Sequence, residues 1–434
     1  MKLKAAHMKA MGFFWLTVVL SATASSLNLI EAHGQSLWDG LTHSAQANDS
    51  SNDSENEAAI DPTGQRDSSA GINAALAEQR KLVLPCGSFL ISRTIELHSH
   101  SELKGAGACT VIKGASNLQR NANWDHIYGA ARAARNLIAN PDFVNGNSDI
   151  HVHNLTLDGS AVQGAAVLHM ASFAHSSGIV IDHVRFIGRG SLPSQDGVNF
   201  VSGSHHYRVE HSYGYGLPGA CVDQWDGTHD FRITDNVCDG HGVGSYGVMV
   251  NGISSGITSP YRANTTYNGV ISGNSVANMM IGGIGVWGLC GGSPQACGIV
   301  RNINITGNKI HDVKRFHGIL VGDGSNITIT KNDIERIGAD GIRISSGSTS
   351  SPTHDIVVTD NVIRDSNNVG GKSMGIEVGS GADSPANIRL DNNVIKGSMH
   401  KFAIFVHKNA ANVTVQGGQM GNGTEGTVFL PNRQ

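Results

Sequence analysis

Two aspartates stand on neighbouring copies of a glycine-marked strand motif, at positions where alternation turns side chains outward. Asp196 precedes the glycine of QDGVNF, and Asp223 lies in the middle of ACVDQW. Two carboxyl groups on one face can break a glycosidic bond together, one as general acid and the other as base or nucleophile. His241, in the glycine run CDGHGVG, is a third candidate for this proton transfer.

Side chains suited to binding a sugar surround these candidates between residues 193 and 251. We expect substrate contacts from Asn199, Trp225, Asp226, Tyr246, Asn251 and His206. An aromatic face matches the C–H face of a pyranose ring. A different chemistry also remains open, in which Tyr246, His241 or His206 removes the proton beside a uronate carboxylate, as in a lyase or a C5-epimerase.

A recurring asparagine-marked motif sets the framework for these positions. Apolar residues alternate, then a polar pair ends in Asn, and another apolar residue follows two places later, as in FRITDNVC, INITGNKI, ITITKNDI, IVVTDNVI and IRLDNNVI. Alternation of this kind predicts strands. Because Asn tolerates the left-handed conformation, we expect it at the bend between two short strands. By the same reasoning Asp235, Asp360 and Asp391, which precede such asparagines, are turn formers.

A second motif, Gly followed by apolar, any and apolar residues, alternates with the first. It occurs as GVNF, GVMV, GILV, GIRI and GIEV. Strand types that recur in one order indicate parallel sheets built by successive turns of the chain, whereas an antiparallel meander needs hairpins. The pattern therefore predicts an all-β, single-stranded parallel β-helix, with a propeller as the structural rival.

The segment from Asp61 to Gly114 resembles the entry module of the pectate-lyase-like superfamily, which includes rhamnogalacturonase and epimerase-like proteins. The similar features are a short helix over Asp67 to Leu76, then LVLPCG, then LKGAG. The resemblance implies a right-handed β-helix whose first coil is covered by the helix.

Two narrower resemblances bear on the site. SQDGVNF, GACVDQW and CDGHGVGS are similar in order to motifs of polygalacturonase-type hydrolases, which matches Asp196 and His241 to catalytic positions. Gly219 and Ala220 stand where that family has a paired Asp. The same region resembles coils of alginate epimerases, which matches Asp223 instead.

The N-terminus and the composition indicate which class of protein this is. The N-terminus has lysines at positions 2, 4 and 9, an apolar run from Met11 to Leu20 and Ala-Thr-Ala at 22–24. This is the pattern of an export signal, too short to span a bilayer. We predict a signal peptide over 1–24, a disordered Ser/Asn/Asp-rich linker over 25–59, and one β-helix domain over 60–434. The net charge of −4 gives no reason to expect nucleic acid as a partner.

The six cysteines are compatible with disulfides in an exported protein. Pairing close in sequence gives Cys86 with Cys109, Cys221 with Cys238, and Cys290 with Cys297. No cofactor and no metal site are expected, because zinc spacings and a D-x-D-x-D calcium loop are absent from the sequence. If acidic residues did hold a metal, Ca²⁺ would be the ion.

These features together predict a secreted enzyme that cleaves a polysaccharide, as a glycoside hydrolase or a polysaccharide lyase. The substrate is expected to contain uronic acids, and no membrane contact is expected after signal cleavage. A uronate C5-epimerase and a non-catalytic glycan-binding β-helix remain the alternatives. The sugar, the linkage and the oligomeric state are open at this point.

Overall fold

The structure is a computed structural model that describes residues 60–128, 133–190, 195–252, 265–288, 298–346, 353–366, 373–379, 384–397, 401–421 and 423–431. The predicted signal peptide, the predicted linker and the Cys290–Cys297 pair lie outside the described residues. In the described part, no helix is long and apolar enough to cross a membrane.

The described residues form many short strands and little helix. Helix α1 is Ser69–Gln79 and the single turn α2 is Asp125–Tyr128, preceded by a 3-10 turn at Ala122–Trp124. In chain order the strands are β1 Thr63–Asp67, β2 Lys81–Leu84, β3 Gly87–Ile91, β4 Ile95–Glu96, β5 Glu102–Gly105, β6 Thr110–Gly114, β7 Arg135–Ala139, β8 His151–Asp158, β9 Leu168–Ala174, β10 Val180–Ile187, β11 Gln195–Val201, β12 His205–Glu210, β13 Tyr213–Tyr215, β14 Ala220–Gln224, β15 His229–Thr234, β16 Val237–Asp239, β17 Tyr246–Asn251, β18 Thr265–Ser272, β19 Ser275–Ala277, β20 Gly282–Trp287, β21 Ile299–Thr306, β22 Lys309–Val313, β23 Ile319–Gly322, β24 Gly324–Thr330, β25 Asp333–Ile337, β26 Ile342–Ser345, β27 His354–Thr359, β28 Val362–Ser366, β29 Ile376–Val378, β30 Ala386–Asp391, β31 Val394–Lys396, β32 Phe402–Val406, β33 Ala411–Gln416, β34 Gln419–Met420 and β35 Gly426–Phe429.

These strands wind as successive coils. One coil consists of β21, β22 and β23, and the next of β24, β25 and β26; like strands pair in parallel, β21 with β24, β22 with β25 and β23 with β26. The described strands form a 12-stranded sheet and a 23-stranded sheet. We call the first the front sheet (β4, β7, β9, β11, β14, β17, β20, β23, β26, β29, β32 and β35) and the other the rear sheet. The predicted single-stranded parallel β-helix is confirmed.

The core lies between the sheets and is built from stacked aliphatic residues. Ile303, Ile327, Ile356 and Ile388 occupy one column through four coils, each at most 2% exposed. Each such side chain contributes about 1.5–3 kcal/mol by leaving water. The alternation in the asparagine-marked motif is therefore the signature of this packing.

The asparagines form a buried ladder. Asn308 Nδ2 donates to Asn332 Oδ1 at 2.9 Å, and the backbone N–H of Asn308 donates to the same oxygen at 2.9 Å. Equivalent bonds join the series Asn236, Asn274, Asn308, Asn332, Asn361 and Asn393. The predicted left-handed conformation belongs to the preceding residue, such as Lys331 or Asp360 with φ of 56° and 57°. The prediction that placed it on Asn was wrong: the ladder asparagines bond to the next coil through the side chain and the backbone N–H instead.

The N-terminal helix covers the first coil as expected, two residues later than the sequence suggested. Ile72 and Leu76 of α1 are fully buried in the main core. Asp67 ends β1, and its carboxylate accepts a hydrogen bond from the backbone of Ser69 at 2.9 Å. This bond satisfies one of the free N–H groups at the start of α1.

One predicted disulfide is present and one is not. Cys86 and Cys109 are joined by a disulfide between the loops before β3 and β6. Cys221 and Cys238 are buried free thiols, so this predicted bridge is wrong. They face the core from the front and rear sheets, and burial raises the pKa of the Cys221 thiol well above its ordinary value. The thiolate needed to form a disulfide is thus disfavoured.

Candidate functional site

Two outward-facing columns run along the front sheet. Both Gly197 and the following Val198 face the core, since a Cβ on Gly197 would touch Phe186 and Leu217. The residue before each glycine therefore points outward, as does the second residue after it. We call these the pre-glycine column and the variable column.

The variable column can be followed through ten strands by register. Its residues are Ser172, Asn199, Asp223, Met249, Gly285, Leu320, Arg343, Glu377, Phe405 and Phe429. The column thus changes from polar to apolar, then to charged, and ends in stacked aromatic rings. Chemistry is concentrated in its two polar stretches.

Asp196 lies in the pre-glycine column and is held from both sides. Its Oδ2 is 2.7 Å from Nδ1 of His169 on the preceding strand, and its Oδ1 accepts a 2.6 Å hydrogen bond from the backbone N–H of Ala220 on the following strand. Asp196 is only 4% exposed and His169 only 2%. This fixes the carboxylate between three successive coils.

Asp223 lies one strand further along, in the variable column. Asn199 Nδ2 and Asn251 Nδ2 approach its two oxygens, each at 3.5 Å. Burial raises the pKa of Asp223 well above its ordinary value, and the charges of Asp196 and Asp226 act in the same direction. Hydrogen bonds from Trp225 and from the Gln224 backbone oppose this rise without cancelling it. Asp223 therefore holds its proton at a pH where an exposed aspartate is ionised.

Trp225 and Asp226 lie beside this carboxyl group. Trp225 is half-buried and packs against an apolar cluster that includes Trp124 and Val201. Asp226 is fully buried in the left-handed conformation, and its carbonyl accepts a hydrogen bond from Gly203 at 2.9 Å. With His169, Asp196, Asn199 and Asp223 they form what we call the upstream cluster.

Tyr246 belongs to the apolar stretch that follows. It is 3% exposed and packs with Ala220, Met249 and Ile281. Burial raises the pKa of its hydroxyl. The predicted contact with a sugar is thus replaced, in this structure, by contacts with neighbouring side chains.

His206 and His241 are placed elsewhere. His206 lies on β12 of the rear sheet and lines a surface depression of about 570 Å³ with Arg208 and Asp230. Nδ1 of His241 is 2.9 Å from the hydroxyl of Tyr215, a rear-sheet residue. Among the described residues, neither histidine contacts Asp196 or Asp223. The sequence order that suggested His241 does not bring it to the upstream cluster, because its loop follows β16 on the other sheet.

A second polar group on the front sheet was missed by the sequence analysis. His317 Nδ1 is 3.1 Å from Asp340, Arg343 lies 3.2 Å from Asp340 and also pairs with Glu377, and Glu377 accepts a 2.6 Å contact from His407. We call these five residues the downstream cluster. His317 and Asp340 precede Gly318 and Gly341, so the rule that singled out Asp196 would also have found them.

The downstream carboxyl groups have opposite tendencies. Burial acts to raise the pKa of Asp340, but the hydrogen bond and charge of His317 and the charge of Arg343 hold it well below its ordinary value. Burial and the charge of Asp340 raise the pKa of Glu377, against the influence of His407 and Arg343. The cluster is a buried ion-pair network in which Arg343 lies between two acids.

Comparison with known proteins places the chain in a family. The model of the family described as "Rhamnogalacturonase A/epimerase, pectate lyase-like" matches residues 56–287, more than half of the chain. The chain belongs to this family. A second model, for the right-handed β-helix region, matches residues 220–420, which agrees with the fold. A search of curated proteins finds no match to the sequence.

Solved structures similar to this pectate lyase-like chain share its fold at low identity. The A-module of mannuronan C-5 epimerase AlgE6 from Azotobacter vinelandii has a TM-score of 0.62 and 16% identity, covering 87% of this chain and 99% of its own. The surface adhesin PfbA of Streptococcus pneumoniae has a TM-score of 0.59 and 14% identity, and the match covers 86% of this chain and 98% of the adhesin chain. An exopolygalacturonase from Thermotoga maritima has a TM-score of 0.50 and 14% identity, and the match covers 71% of this chain and 86% of the enzyme chain.

Side chains of the types that can bind a metal ion lie close together on the rear sheet of this pectate lyase-like chain. The described residues include two groups of three His, Asp or Glu residues whose ligand atoms lie within 4.8 Å of one another. One is Glu102, His151 and His153, and the other is Asp182, His183 and His211. Both lie along the rear sheet, whereas Asp196 and Asp223 lie on the front sheet.

Proposed function

We propose that this protein is a secreted enzyme that hydrolyses a polysaccharide at the upstream cluster. The observation that carries this proposal is the pair formed by Asp223, a buried acid whose pKa is well above its ordinary value, and Asp196, whose carboxylate contacts His169 and accepts a hydrogen bond from the Ala220 backbone. Glycoside hydrolases use two carboxyl groups, one as general acid and the other as base or nucleophile.

In this mechanism Asp223 is the general acid and Asp196 the general base. Asp223 donates its proton to the glycosidic oxygen as the bond to the anomeric carbon breaks. Asp196 takes a proton from the water that attacks this carbon, so one water is consumed and one new reducing end forms. The Asp196 proton then returns through solvent to Asp223.

The register favours inversion at the anomeric carbon. Asp196 and Asp223 lie one strand apart and three positions apart along the strand direction, which puts their Cα atoms roughly 11 Å apart. Their side chains are also held by different neighbours, His169 for one and the amides of Asn199 and Asn251 for the other. A wide spacing leaves room for water, whereas retaining enzymes need carboxyl groups only about 5 Å apart.

Three further observations support the substrate class and the location. The epimerase and the polygalacturonase among the similar structures are named for polymers of uronic acids, which supports a uronate-containing polysaccharide. Trp225 offers an indole beside Asp223 for stacking on a sugar. The charged, apolar and small-residue parts of the N-terminus support export, and the net charge of −4 gives no support for nucleic acid.

A second candidate is a glycan-binding protein without catalysis. It is favoured by the 4% exposure of both Asp196 and Asp223, because a sugar can reach them only if the groups covering them move. Similarity to a surface adhesin agrees with this alternative. The two candidates differ in whether any product forms.

The test is incubation of the purified protein with a panel of uronate-containing and neutral polysaccharides. We expect new reducing ends without the ultraviolet absorbance of an unsaturated uronate, and an inverted anomer by NMR. Asp223→Asn should lower kcat by about 10²- to 10⁴-fold. Asp360→Asn is the matched control, because Asp360 is an exposed turn residue whose left-handed conformation Asn tolerates.

Other products would assign a different function. An unsaturated product would show a lyase, and a changed uronate ratio without chain shortening would show an epimerase. Binding without any product would support the second candidate. Full activity in Asp223→Asn would overturn the proposed site.

A further inference from the structure

Three potential metal ligands converge on the outer face of the rear sheet, whereas the proposed catalytic residues lie on the front sheet. Glu102 of β5 is in register with His151 of β8, and alternation puts His153 on the same face as His151. Glu102 Oε1 is 3.0 Å from Nε2 of His153. The two imidazole rings stack with centroids 4.0 Å apart and planes 10° apart.

The side-chain types suit a cation. Neutral imidazole nitrogen and carboxylate oxygen are both common metal ligands, and metal ions bind their deprotonated forms.

His151 also carries an orphaned polar atom. Its Nε2 is buried and has no hydrogen-bond partner among the described residues. A buried polar atom left unpaired is unfavourable. A cation placed between this nitrogen, Nε2 of His153 and Oε1 of Glu102 would satisfy it.

We propose that Glu102, His151 and His153 bind one divalent first-row transition-metal ion, with Zn²⁺ the best match. Imidazole nitrogen and carboxylate oxygen bind Zn²⁺ at about 2.0–2.2 Å, whereas Ca²⁺ takes oxygen ligands. Three protein ligands leave the fourth tetrahedral position open to water or to an external ligand. The site was not expected from the sequence, which has none of the common zinc spacings.

The geometry must adjust before it can close around the ion. Tetrahedral ligand atoms at these bond lengths lie about 3.4 Å apart. Glu102 Oε1 and His153 Nε2 are 3.0 Å apart, close to this distance. The near-parallel rings of His151 and His153 must turn relative to each other so that the lone pairs of both meet at the ion. Lys81 approaches the other oxygen of Glu102 at 3.4 Å, but it is 72% exposed and can turn into solvent at little cost.

The neighbouring group of Asp182, His183 and His211 supplies an internal control. Its two imidazoles already converge on one oxygen of Asp182, at 2.8 and 3.0 Å. Their side chains are 57% and 50% exposed, so an ion there would have to replace satisfied contacts with water nearby. We expect this group to bind far more weakly.

The test is calorimetric titration of Zn²⁺ into tag-free full-length protein that has been treated with EDTA and then freed of it, at neutral pH. We expect one ion bound per chain and a higher thermal unfolding midpoint with Zn²⁺. His151→Ala and Glu102→Gln should each weaken binding at least about tenfold. The double variant His183→Ala with His211→Ala should bind as the unchanged protein does.

Anomalous diffraction at the zinc edge should show a single peak between the three residues. Circular dichroism of each variant separates loss of binding from loss of fold. Absence of Zn²⁺ binding in the folded protein, a peak at Asp182, or undiminished binding by His151→Ala would overturn the proposal. None of these outcomes depends on whether a polysaccharide is cleaved.

Discussion

The upstream and downstream clusters occupy the same two columns of one sheet, yet they treat buried acids differently. Asp196 and Asp340 both follow a histidine one coil earlier, at 2.7 and 3.1 Å, and both accept a 2.6 Å backbone hydrogen bond from the next coil. The variable column then carries Asp223 in one cluster and Arg343 with Glu377 in the other. The shared scaffold therefore supports two different electrostatic environments.

The difference lies in the counter-charge. Of the described residues, none forms an ion pair with Asp223, and the side chains that donate to it, those of Trp225, Asn199 and Asn251, are neutral. The oxygens of Glu377 are engaged by Arg343 and by His407. A buried acid without a cationic partner holds a proton that it can donate in catalysis. A buried acid that pairs with Arg and His contributes to stability instead. This contrast is why we place catalysis upstream.

The largest expected effect comes from removing the cation of the downstream cluster. Arg343→Met should lower the free energy of unfolding by about 3–5 kcal/mol, because it leaves Asp340 and Glu377 as buried acids without their shared partner. Chemical denaturation followed by circular dichroism measures this loss. Arg389→Met is the control, since Arg389 is 59% exposed and pairs with Asp391 at the surface, so its loss should cost at most about 1 kcal/mol. Equal losses would show that the downstream network adds nothing to stability.

The pH dependence of stability should differ in sign between the clusters. Asp223 has a raised pKa in the folded state, so the stability it contributes is complete below its unfolded pKa and is lost as pH rises toward its folded value. Asp340 has a lowered pKa, so its contribution is present above its unfolded pKa and is lost as pH falls. Between the folded and unfolded pKa values of each acid, the free energy of unfolding changes by up to about 1.4 kcal/mol per pH unit.

Thermal unfolding midpoints of Asp223→Asn and Asp340→Asn, measured from acid to neutral pH, test this contrast. Relative to the unchanged protein, Asp223→Asn should gain stability as pH rises above about 4. Asp340→Asn should lose less stability than the unchanged protein does as pH falls below about 4. Curves that run parallel to that of the unchanged protein would mean that the two acids do not differ in this way.

The smallest expected effect compares the two histidines. His169→Gln and His317→Gln should each cost about 1 kcal/mol of stability, because each removes one contact while the backbone hydrogen bond to the acid remains. Only His169→Gln should affect hydrolysis, with a several-fold lower kcat and an unchanged KM, since it positions Asp196. An equal effect of both substitutions on kcat would place the downstream cluster in the reaction.

Much of the fold could be predicted because its physics is periodic. Side chains alternate between core and solvent, so a strand motif such as INIT predicts its own burial, and repetition in a fixed order predicts parallel pairing. The outward placement of both Asp196 and Asp223 does not follow from strict alternation, because they stand three register positions apart. Both point outward because Gly197 and Val198 both face the core. The asparagine ladder was recognised as a pattern, but its bonds run between coils and are not visible within one copy.

The parts that could not be predicted depend on loops and on facing walls. His206 lies on β12 of the rear sheet, and the loop after β16 decides which sheet His241 approaches, which loop length alone does not fix. Cys221 and Cys238 are close in sequence, but whether their thiols meet in bonding geometry depends on how the front and rear sheets face each other. The downstream cluster is not visible within one copy of the motif for another reason, since Arg343 and Glu377 become neighbours only through the register of β26 with β29.

The asparagine ladder has a consequence for how this molecule can change in length. Each internal Asn donates to the next coil and accepts from the previous one in the same way. Deleting or duplicating a whole coil would therefore rejoin donor to acceptor without stranding an amide in the core. A gene encoding such a chain can gain or lose full turns as units, which lengthens or shortens the outer wall while leaving a cluster intact wherever the change falls outside the coils that form it.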